Sequence, residues 1–314
     1  MPDWLRRVIT VVAARLPRPL ARRCVRSIGG VAWLGPGSAA HRRTARIIER
    51  ALGESPREAR RISREHFRRL CLLHADYAYF ATRAPERVLP LADEMDVVGP
   101  GLARIADRRP DASPPVLLAT IHMGGYLRGL LKLVRIAPAL RRIHLVKLEE
   151  ATRQEERAYR HFASAGVRLD VIRLSDRPGL RVREALRAGD TVVLLFDSPP
   201  SFGPRRSAVV HFLGRQARFP AGPALLALAG RAVILPVVSH ADACGREILR
   251  LEAPIAARAL AGEDRARAAA RLTQALADRA ARWIRRSPCD WLLWQALPEL
   301  WQGASPGAVR PPRR

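Results

Sequence analysis

His122 is the residue whose type and position are best suited to chemistry. The apolar run of residues 116–121 predicts a buried strand that ends at His122, and Gly124 and Gly125 then open a helix-like stretch at Tyr126. Open α/β sheets usually carry their chemistry at the carboxyl ends of strands. A neutral imidazole, with an unperturbed pKa of about 6.5, can act as a base at neutral pH. The alternative is a histidine that only completes hydrogen bonds at a strand edge, but the glycines, which allow close backbone approach, favour the functional interpretation.

Alternating strand and helix patterns surround His122 and must position it. Strands are predicted at residues 95–98, 116–121, 143–148, 169–174, 191–196, 209–212, 232–238 and 247–252, and helices at residues 126–136, 150–165, 180–188, 223–229 and 264–285. Such alternation is typical of an α/β fold in which helices flank a mixed, mainly parallel central sheet. We therefore expect one α/β domain over residues 91–302.

The two ends of the chain have different patterns. Residues 1–90 have the periodicity of a helical N-terminal region, in which helices are predicted at residues 42–52 and from Ser55, a favourable N-cap, towards Phe80. The tail, residues 303–314, is rich in proline, glycine and arginine, and we expect it to be disordered.

The first 18 residues combine helical apolar spacing with arginines. Trp4, Val8 and Leu16 belong to an apolar stripe that is bordered by Arg6 and Arg15. This pattern suits a basic helix that lies at a membrane interface, although an ordinary amphipathic helix packed on the domain is an equal alternative. No segment approaches the roughly 18 to 20 apolar residues that a membrane-spanning helix needs.

The net charge of +26 invites a nucleic-acid partner, but the composition argues against one. Of the 55 basic residues, 53 are arginine and only Lys132 and Lys147 are lysine, which indicates the coding bias of a GC-rich genome. Neither zinc-finger spacing nor an RNA-binding aromatic signature accompanies the charge. An anionic lipid surface is the better expectation. The four cysteines are widely separated and are expected to be reduced thiols in a cytosol-facing protein.

Several blocks in fixed order resemble a known family. The segment from His122 to Tyr126 resembles the first block of the lysophospholipid acyltransferase superfamily, a histidine followed four residues later by Asp or Glu. Similar later blocks begin at Phe196-Asp197, Val210, Pro220 and Ala232, and residues 284–294 resemble the closing Ile-Arg-x-x-Pro-x-x-Trp-x-Trp signature. The closest resemblance is to the bacterial late (lauroyl or myristoyl) acyltransferases of lipid A biosynthesis. Leu127 stands where the acid of the first block is expected.

This resemblance implies a peripheral acyltransferase at the cytoplasmic face of the bacterial inner membrane. The acyl donor would be an acyl carrier protein or coenzyme A thioester, and the acceptor a hydroxyl or amine of a glycolipid or lipid A-type molecule. His122 would be the general base, and no cofactor or metal is implied, since the thioester is a substrate. Two alternatives remain open: a catalytically inactive homologue that binds lipid or a partner, and a transferase repurposed for a specialised metabolite. The sequence indicates no oligomeric state.

The missing acid raises the question of what orients His122. Asp197 is the first candidate, because it ends the predicted strand 191–196, and the ends of two parallel strands can meet at one sheet edge. Its alternative role is to cap the turn that precedes Ser198 and two prolines. Three weaker candidates have the pattern of solvated loop or helix-start acids: Asp176, Glu149 and Glu150.

The resemblance also suggests residues that contact the substrates, although a solvated surface role is the alternative for each basic one. They are Gly124, Gly125, Tyr126, Lys147, Arg160, Arg215, Arg218 and Gly222. Residues 219–223 are predicted to form a tight turn into the helix at 223–229, whose N-terminal amides could hold a phosphate. His211, in an alternating strand, is expected to be structural, and Trp291 and Trp294 are expected to be core or membrane-interface aromatics.

Overall fold

A mainly parallel sheet forms the centre of the protein in a computed structural model that describes residues 3–31, 38–106, 113–137, 139–148, 151–175, 177–202, 206–242 and 245–302. The strands are β1 (Asp96–Val98), β2 (Val116–Thr120), β3 (Arg142–Lys147), β4 (Arg168–Arg173), β5 (Thr191–Leu195), β6 (Ser207–Phe212), β7 (Arg215–Pro220), β8 (Val233–Ala241), β9 (Glu247–Leu251) and β10 (Ile255–Ala256). Eight of them form the central sheet, in the order β1-β9-β8-β2-β5-β3-β4 with β10 beside β8. Only the pairs β8–β9 and β8–β10 are antiparallel.

Twelve helices flank this sheet in the described part of the chain. They are α1 (Asp3–Arg15), α2 (Arg18–Val31), α3 (Ser38–Leu52), α4 (Pro56–Thr82), α5 (Pro85–Asp93), α6 (Leu102–Ala106), α7 (Tyr126–Ile136), α8 (Arg153–Ser164), α9 (Pro178–Arg187), α10 (Gly222–Gly230), α11 (Arg265–Arg286) and α12 (Leu297–Gln302). Five helices precede the first strand, so the structure confirms the predicted α/β class with a helical N-terminal cap. The division of the chain into domains stays a prediction.

The sheet is buried on both faces, which explains why its central strands are continuous apolar runs rather than alternating ones. All five residues of β2 are buried. One core contains Leu117 and Ala119 together with residues of α3, α9 and α11, and the other contains Leu118 with residues of α5, α7 and α8. Alternate residues of one strand thus face opposite helix layers.

The N-terminal helices are held together by a separate small core. Leu5, Ile9 and Ala13 form the buried stripe of α1 and pack with Val25 of α2 and Ala75 of α4. Helix α4 begins where the sequence predicts, because the Ser55 side chain accepts a hydrogen bond from the Glu58 N–H at 3.2 Å. In the described residues, no helix is both long and apolar enough to span a bilayer.

The segment after β6 differs from its prediction. The predicted tight turn into α10 is confined to Ala221, because Phe219 and Pro220 belong to β7, which pairs with β6 as an antiparallel hairpin, and α10 begins at Gly222. A separate turn at Leu213 and Gly214 joins β6 to β7, and the φ values of 48° and 82° of these two residues suit a two-residue hairpin turn. Pro220 is tolerated at the end of a two-stranded ribbon. The predicted disordered tail lies outside the described residues. The same holds for four single residues: Glu149, Glu150, Asp176 and Cys244.

Candidate active site

Two adjacent strands bring His122 and Asp197 together. Strand β2 ends at Thr120 and β5 ends at Leu195, and these two residues are partners in the parallel register. The Phe196 N–H donates to the Thr120 carbonyl at 3.0 Å and extends the pairing. His122 and Asp197 follow within two residues of the paired strand ends, at the carboxyl edge of the sheet.

Asp197 accepts two hydrogen bonds from His122. The Oδ1 atom of Asp197 lies 2.7 Å from Nδ1 of His122, and Oδ2 accepts the backbone N–H of His122 at 2.9 Å. The Asp197 side chain is fully buried, whereas 27% of the His122 side chain is exposed. A carboxylate at Nδ1 favours the tautomer that carries its proton on Nδ1, so Nε2 is left free to accept a proton.

Trp291 completes the surroundings of Asp197. Its indole N–H donates to Oδ2 of Asp197 at 2.9 Å, and its ring is completely buried. Because Oδ2 thereby accepts two donors that are fixed in position, the carboxylate cannot rotate without losing both bonds. From the sequence, Trp291 is expected to be only a core or interface aromatic. Its place in the closing block, 94 residues after Asp197, is the one sequence signal for a role beside Asp197.

Burial and the charge of Asp197 act on the pKa of His122 in opposite directions. Burial lowers the pKa of His122, while the charge of Asp197 and its hydrogen bond raise it. The raising effects prevail, so the pKa of His122 lies above its usual value of 6.5. A raised pKa means that the imidazole holds a proton more tightly once it has accepted it.

The backbone after His122 is held by the closing block. Leu292 donates its N–H to the His122 carbonyl at 2.8 Å, and Gly124 donates to the Asp290 carbonyl at 3.0 Å. Gly124 has a φ of 56°, and a Cβ at this position would overlap the carbonyl oxygen of Ser239. Glycine is therefore required here for both conformation and space. Gly125 is the N-cap of α7.

His122 opens into a groove of about 1310 Å³ along the carboxyl edge of the sheet. Much of its wall is apolar, and the leucines and valine in it are Leu145, Val146, Leu148, Leu174, Leu194, Leu195, Leu225 and Leu226. Tyr126, Lys147 and Gly222 also line the groove, and Lys147 forms an ion pair with Glu155. An apolar groove that begins at His122 fits a substrate with a long hydrocarbon chain.

Other residues with predicted substrate contacts do not line this groove. Arg160 lies in a different cleft, beside β4. The guanidinium of Arg215 lies 5.0 Å from the centre of the Trp301 ring, and Arg218 donates to the Ser207 hydroxyl at 3.3 Å. The positions of these three arginines do not support their predicted role as substrate contacts. His211, expected to be structural, pairs with β7 and donates its backbone N–H to Gln274 at 2.8 Å.

Leu127, which replaces the expected acid, points into the protein. Its side chain is 3% exposed and packs in the apolar core with Phe80 and Leu130. A carboxylate at this position would enter apolar surroundings unless the side chain turned, whereas Asp197 already occupies the place beside Nδ1. Among the described residues, no group of three or more His, Cys, Asp or Glu side chains is arranged to hold a metal ion.

Comparison with known proteins gives one family match. The model of the family described as bacterial lipid A biosynthesis acyltransferase matches residues 1–297, which is nearly the whole chain. No curated protein matches the sequence.

Proposed function

We propose that this chain, which belongs to the family of bacterial lipid A biosynthesis acyltransferases, moves a fatty acyl group from a carrier-protein or coenzyme A thioester to a glycolipid acceptor. Membership of the family makes the protein an acyltransferase; the donor, the acceptor and the catalytic residues are the proposal. The acceptor group is a hydroxyl or amine of a lipid A-type molecule.

The observation that carries the proposal is the 2.7 Å contact between His122 and Asp197 at the head of an apolar groove. In the reaction, Nε2 of His122 takes the proton of the acceptor group as its oxygen or nitrogen attacks the thioester carbonyl. Asp197 stays ionised and stabilises the imidazolium that forms. When the tetrahedral intermediate collapses, the carbon–sulfur bond breaks, and the proton on Nε2 passes to the leaving thiolate.

The same contact bears on the two alternative functions. An inactive homologue has no need for a buried carboxylate that fixes the tautomer of a partly exposed histidine, so the pair favours catalysis. Burial of the Asp197 carboxylate is costly, because a buried carboxylate needs several donors to offset its desolvation. A role in orienting His122 accounts for this cost. A transferase with a specialised acceptor would use the same chemistry, and only the identity of the product distinguishes it.

The proposed location is the cytoplasmic face of the bacterial inner membrane, with the protein bound peripherally. Helix α1 supports this proposal. Trp4, Val8 and Val11 lie on its outer face and are exposed by 41% or more, next to the exposed Arg7 and Arg15. Large apolar side chains beside arginines suit insertion at an anionic lipid interface.

A direct test uses purified protein with acyl carrier protein and coenzyme A thioesters and with lipid A precursors as acceptors. Mass spectrometry should detect an acylated acceptor with wild-type protein and far less with the His122→Ala variant. The lipid extract of a strain lacking the gene should lose one acylated glycolipid, which identifies the natural acceptor. If wild-type protein acylates none of these acceptors and the extract is unchanged, the proposed glycolipid substrate is wrong.

A further inference from the structure

The groove carries a strong excess of positive charge that proton transfer by the His122–Asp197 pair does not explain. Among the described residues that line it, five are lysine or arginine and one is a carboxylate, Glu155. Glu155 pairs with Lys147. The remaining cations, here called the groove arginines, are Arg177, Arg183, Arg206 and Arg265.

The groove arginines have few partners within the protein. In the part of the chain that the structure describes, none of them forms an ion pair, whereas Arg135 and Arg271 bind carboxylates at 2.7 and 2.8 Å. Arg265 makes one hydrogen bond, to the Leu225 carbonyl at 3.3 Å. The Nε of Arg183 is buried and has no hydrogen-bond acceptor among the described residues. A buried N–H without an acceptor is costly, so an acceptor supplied by a ligand is the simplest physical account of Arg183.

The backbone around the groove arginines adds to the positive potential. The first turns of α9 and α10 line the groove through Pro178 and Gly179 and through Gly222 and Pro223. Arg206 is joined to the start of α10, because its carbonyl accepts the Ala221 N–H at 3.0 Å. Helix N-termini carry partial positive charge, which reinforces the arginines beside them.

We infer that the wall of the groove formed by Arg183, Arg206 and Arg265 binds a phosphate group of a substrate whose hydrocarbon chain lies on the apolar wall. Guanidinium groups match phosphate oxygens in two-point hydrogen bonds, and several of them together suit an anionic phosphate group. The inference rests on the proposed function for its two sources of phosphate, which are the acceptor glycolipid and the pantetheine arm of the donor. It assigns phosphate binding to residues other than the predicted Arg215 and Arg218, which lie outside the groove.

Binding of a simple amphiphile tests the site without any acyl transfer. The probes are decyl phosphate and, as the uncharged counterpart, decyl glucoside, titrated below their micelle concentrations and followed by calorimetry. The double variant Arg183→Gln/Arg265→Gln should weaken decyl phosphate binding at least tenfold and leave decyl glucoside binding unchanged. The matched control is Arg187→Gln/Arg267→Gln, which removes two exposed arginines of α9 and α11 that do not line the groove. Equal losses in both double variants, or no loss in the first, would overturn the inference even if the protein proves to be an active acyltransferase.

The source of the phosphate follows from kinetics with four substrates. Acceptors with and without their phosphate are compared, as are an acyl coenzyme A and the acyl thioester of N-acetylcysteamine, which has no phosphate. The Arg183→Gln/Arg265→Gln variant should raise KM for one phosphate-bearing substrate and have no effect on KM for its phosphate-free analogue. That substrate is then the source. A rise of the same size with the phosphate-free analogues of both substrates would show that the groove arginines do not recognise phosphate.

Discussion

Replacement of Asp197 by asparagine should disable His122 while leaving the fold intact. The change keeps the shape of the side chain but replaces one of its two acceptor oxygens with an NH₂ donor. Oδ2 of Asp197 accepts two fixed N–H groups, from the backbone of His122 and from Trp291, each at 2.9 Å. The asparagine oxygen will therefore take the Oδ2 position, and its NH₂ group will face Nδ1 of His122. Nδ1 must then accept, so the proton moves to Nε2, and the base is blocked.

The size of this effect follows from the opposite orientation of the asparagine. In that orientation, the N–H groups of His122 and Trp291 would both face a donor in a fully buried place. Each unsatisfied buried donor costs about 1 to 3 kcal/mol, so the blocked tautomer is favoured by about 2 to 6 kcal/mol. With 1.36 kcal/mol per factor of ten, kcat should fall by roughly 30-fold to 26,000-fold. The fall of about 10,000-fold for the aspartate of the serine-protease triad lies within this range.

The assay is acyl transfer as a function of pH, with circular dichroism to verify the fold. The base must be neutral, so wild-type activity should be lost as pH falls through a value above 6.5, where Asp197 holds the pKa of His122. In Asp197→Asn the raising charge is gone and burial remains, so the acid limb of the residual activity should move to lower pH. The same raised pKa means that His122 stabilises the fold below about pH 6.5 and that this contribution is lost as pH rises through the raised value.

Asp190→Asn is the matched control. Asp190 also contacts a histidine, since its Oδ2 lies 2.8 Å from Nε2 of His144, but it precedes β5, at the opposite end of the strand from Asp197. Its replacement should leave kcat and the pH profile near those of wild type. If Asp197→Asn keeps kcat within a factor of three, or if the acid limb stays in place, the tautomer argument is wrong and Asp197 only supports the backbone.

Four further outcomes are expected. His122→Ala should slow acyl transfer by about 100-fold to 10,000-fold, the usual share of a general base, whereas His144→Ala should not; similar losses in both would point to misfolding. Trp291→Phe removes one hydrogen bond to Asp197 and should lower kcat by up to about tenfold, and an unchanged kcat would show that His122 alone orients the carboxylate. Gly124→Ala should lower the free energy of unfolding in urea by more than about 2 kcal/mol, because alanine is strained at positive φ and meets a carbonyl; an unchanged midpoint would contradict this. Deletion of residues 1–18 should reduce sedimentation with anionic vesicles, and unchanged sedimentation of the deletion variant would point to another anchor. Salt should weaken wild-type binding to the vesicles, because the Debye length falls from about 10 Å at 0.1 M to about 3 Å at 1 M.

Local patterns were enough to identify the elements that hold the site. The apolar run before His122 and the run before Asp197 are short, continuous and bounded by turn residues, so each is recognisable as a buried strand within one window of sequence. The predicted helix at 126–136 has the same bounds as α7. Strand β7 was missed because its polar residues, among them Arg215 and Gln216, lack the alternation of a half-buried strand. The ribbon it forms with β6 takes its stability from the helices packed against it.

The pairing of His122 with Asp197 could be proposed from the sequence but depended on the order of strands in the sheet. The sequence locates the ends of both strands; it does not place β5 next to β2, since two other strands lie between them along the chain. Strand order is set by how well the two faces of the sheet pack against the helices. The free energy of that packing is a sum of contacts between residues far apart in sequence. Only that packing could bring Trp291 to Asp197 across 94 residues and leave the Nε of Arg183, beside the groove, with no acceptor in the described part of the chain. Periodicity is a property of neighbouring residues and so can be read from the chain, whereas the hydrogen bonds that tune His122 join residues that meet only when the sheet is complete.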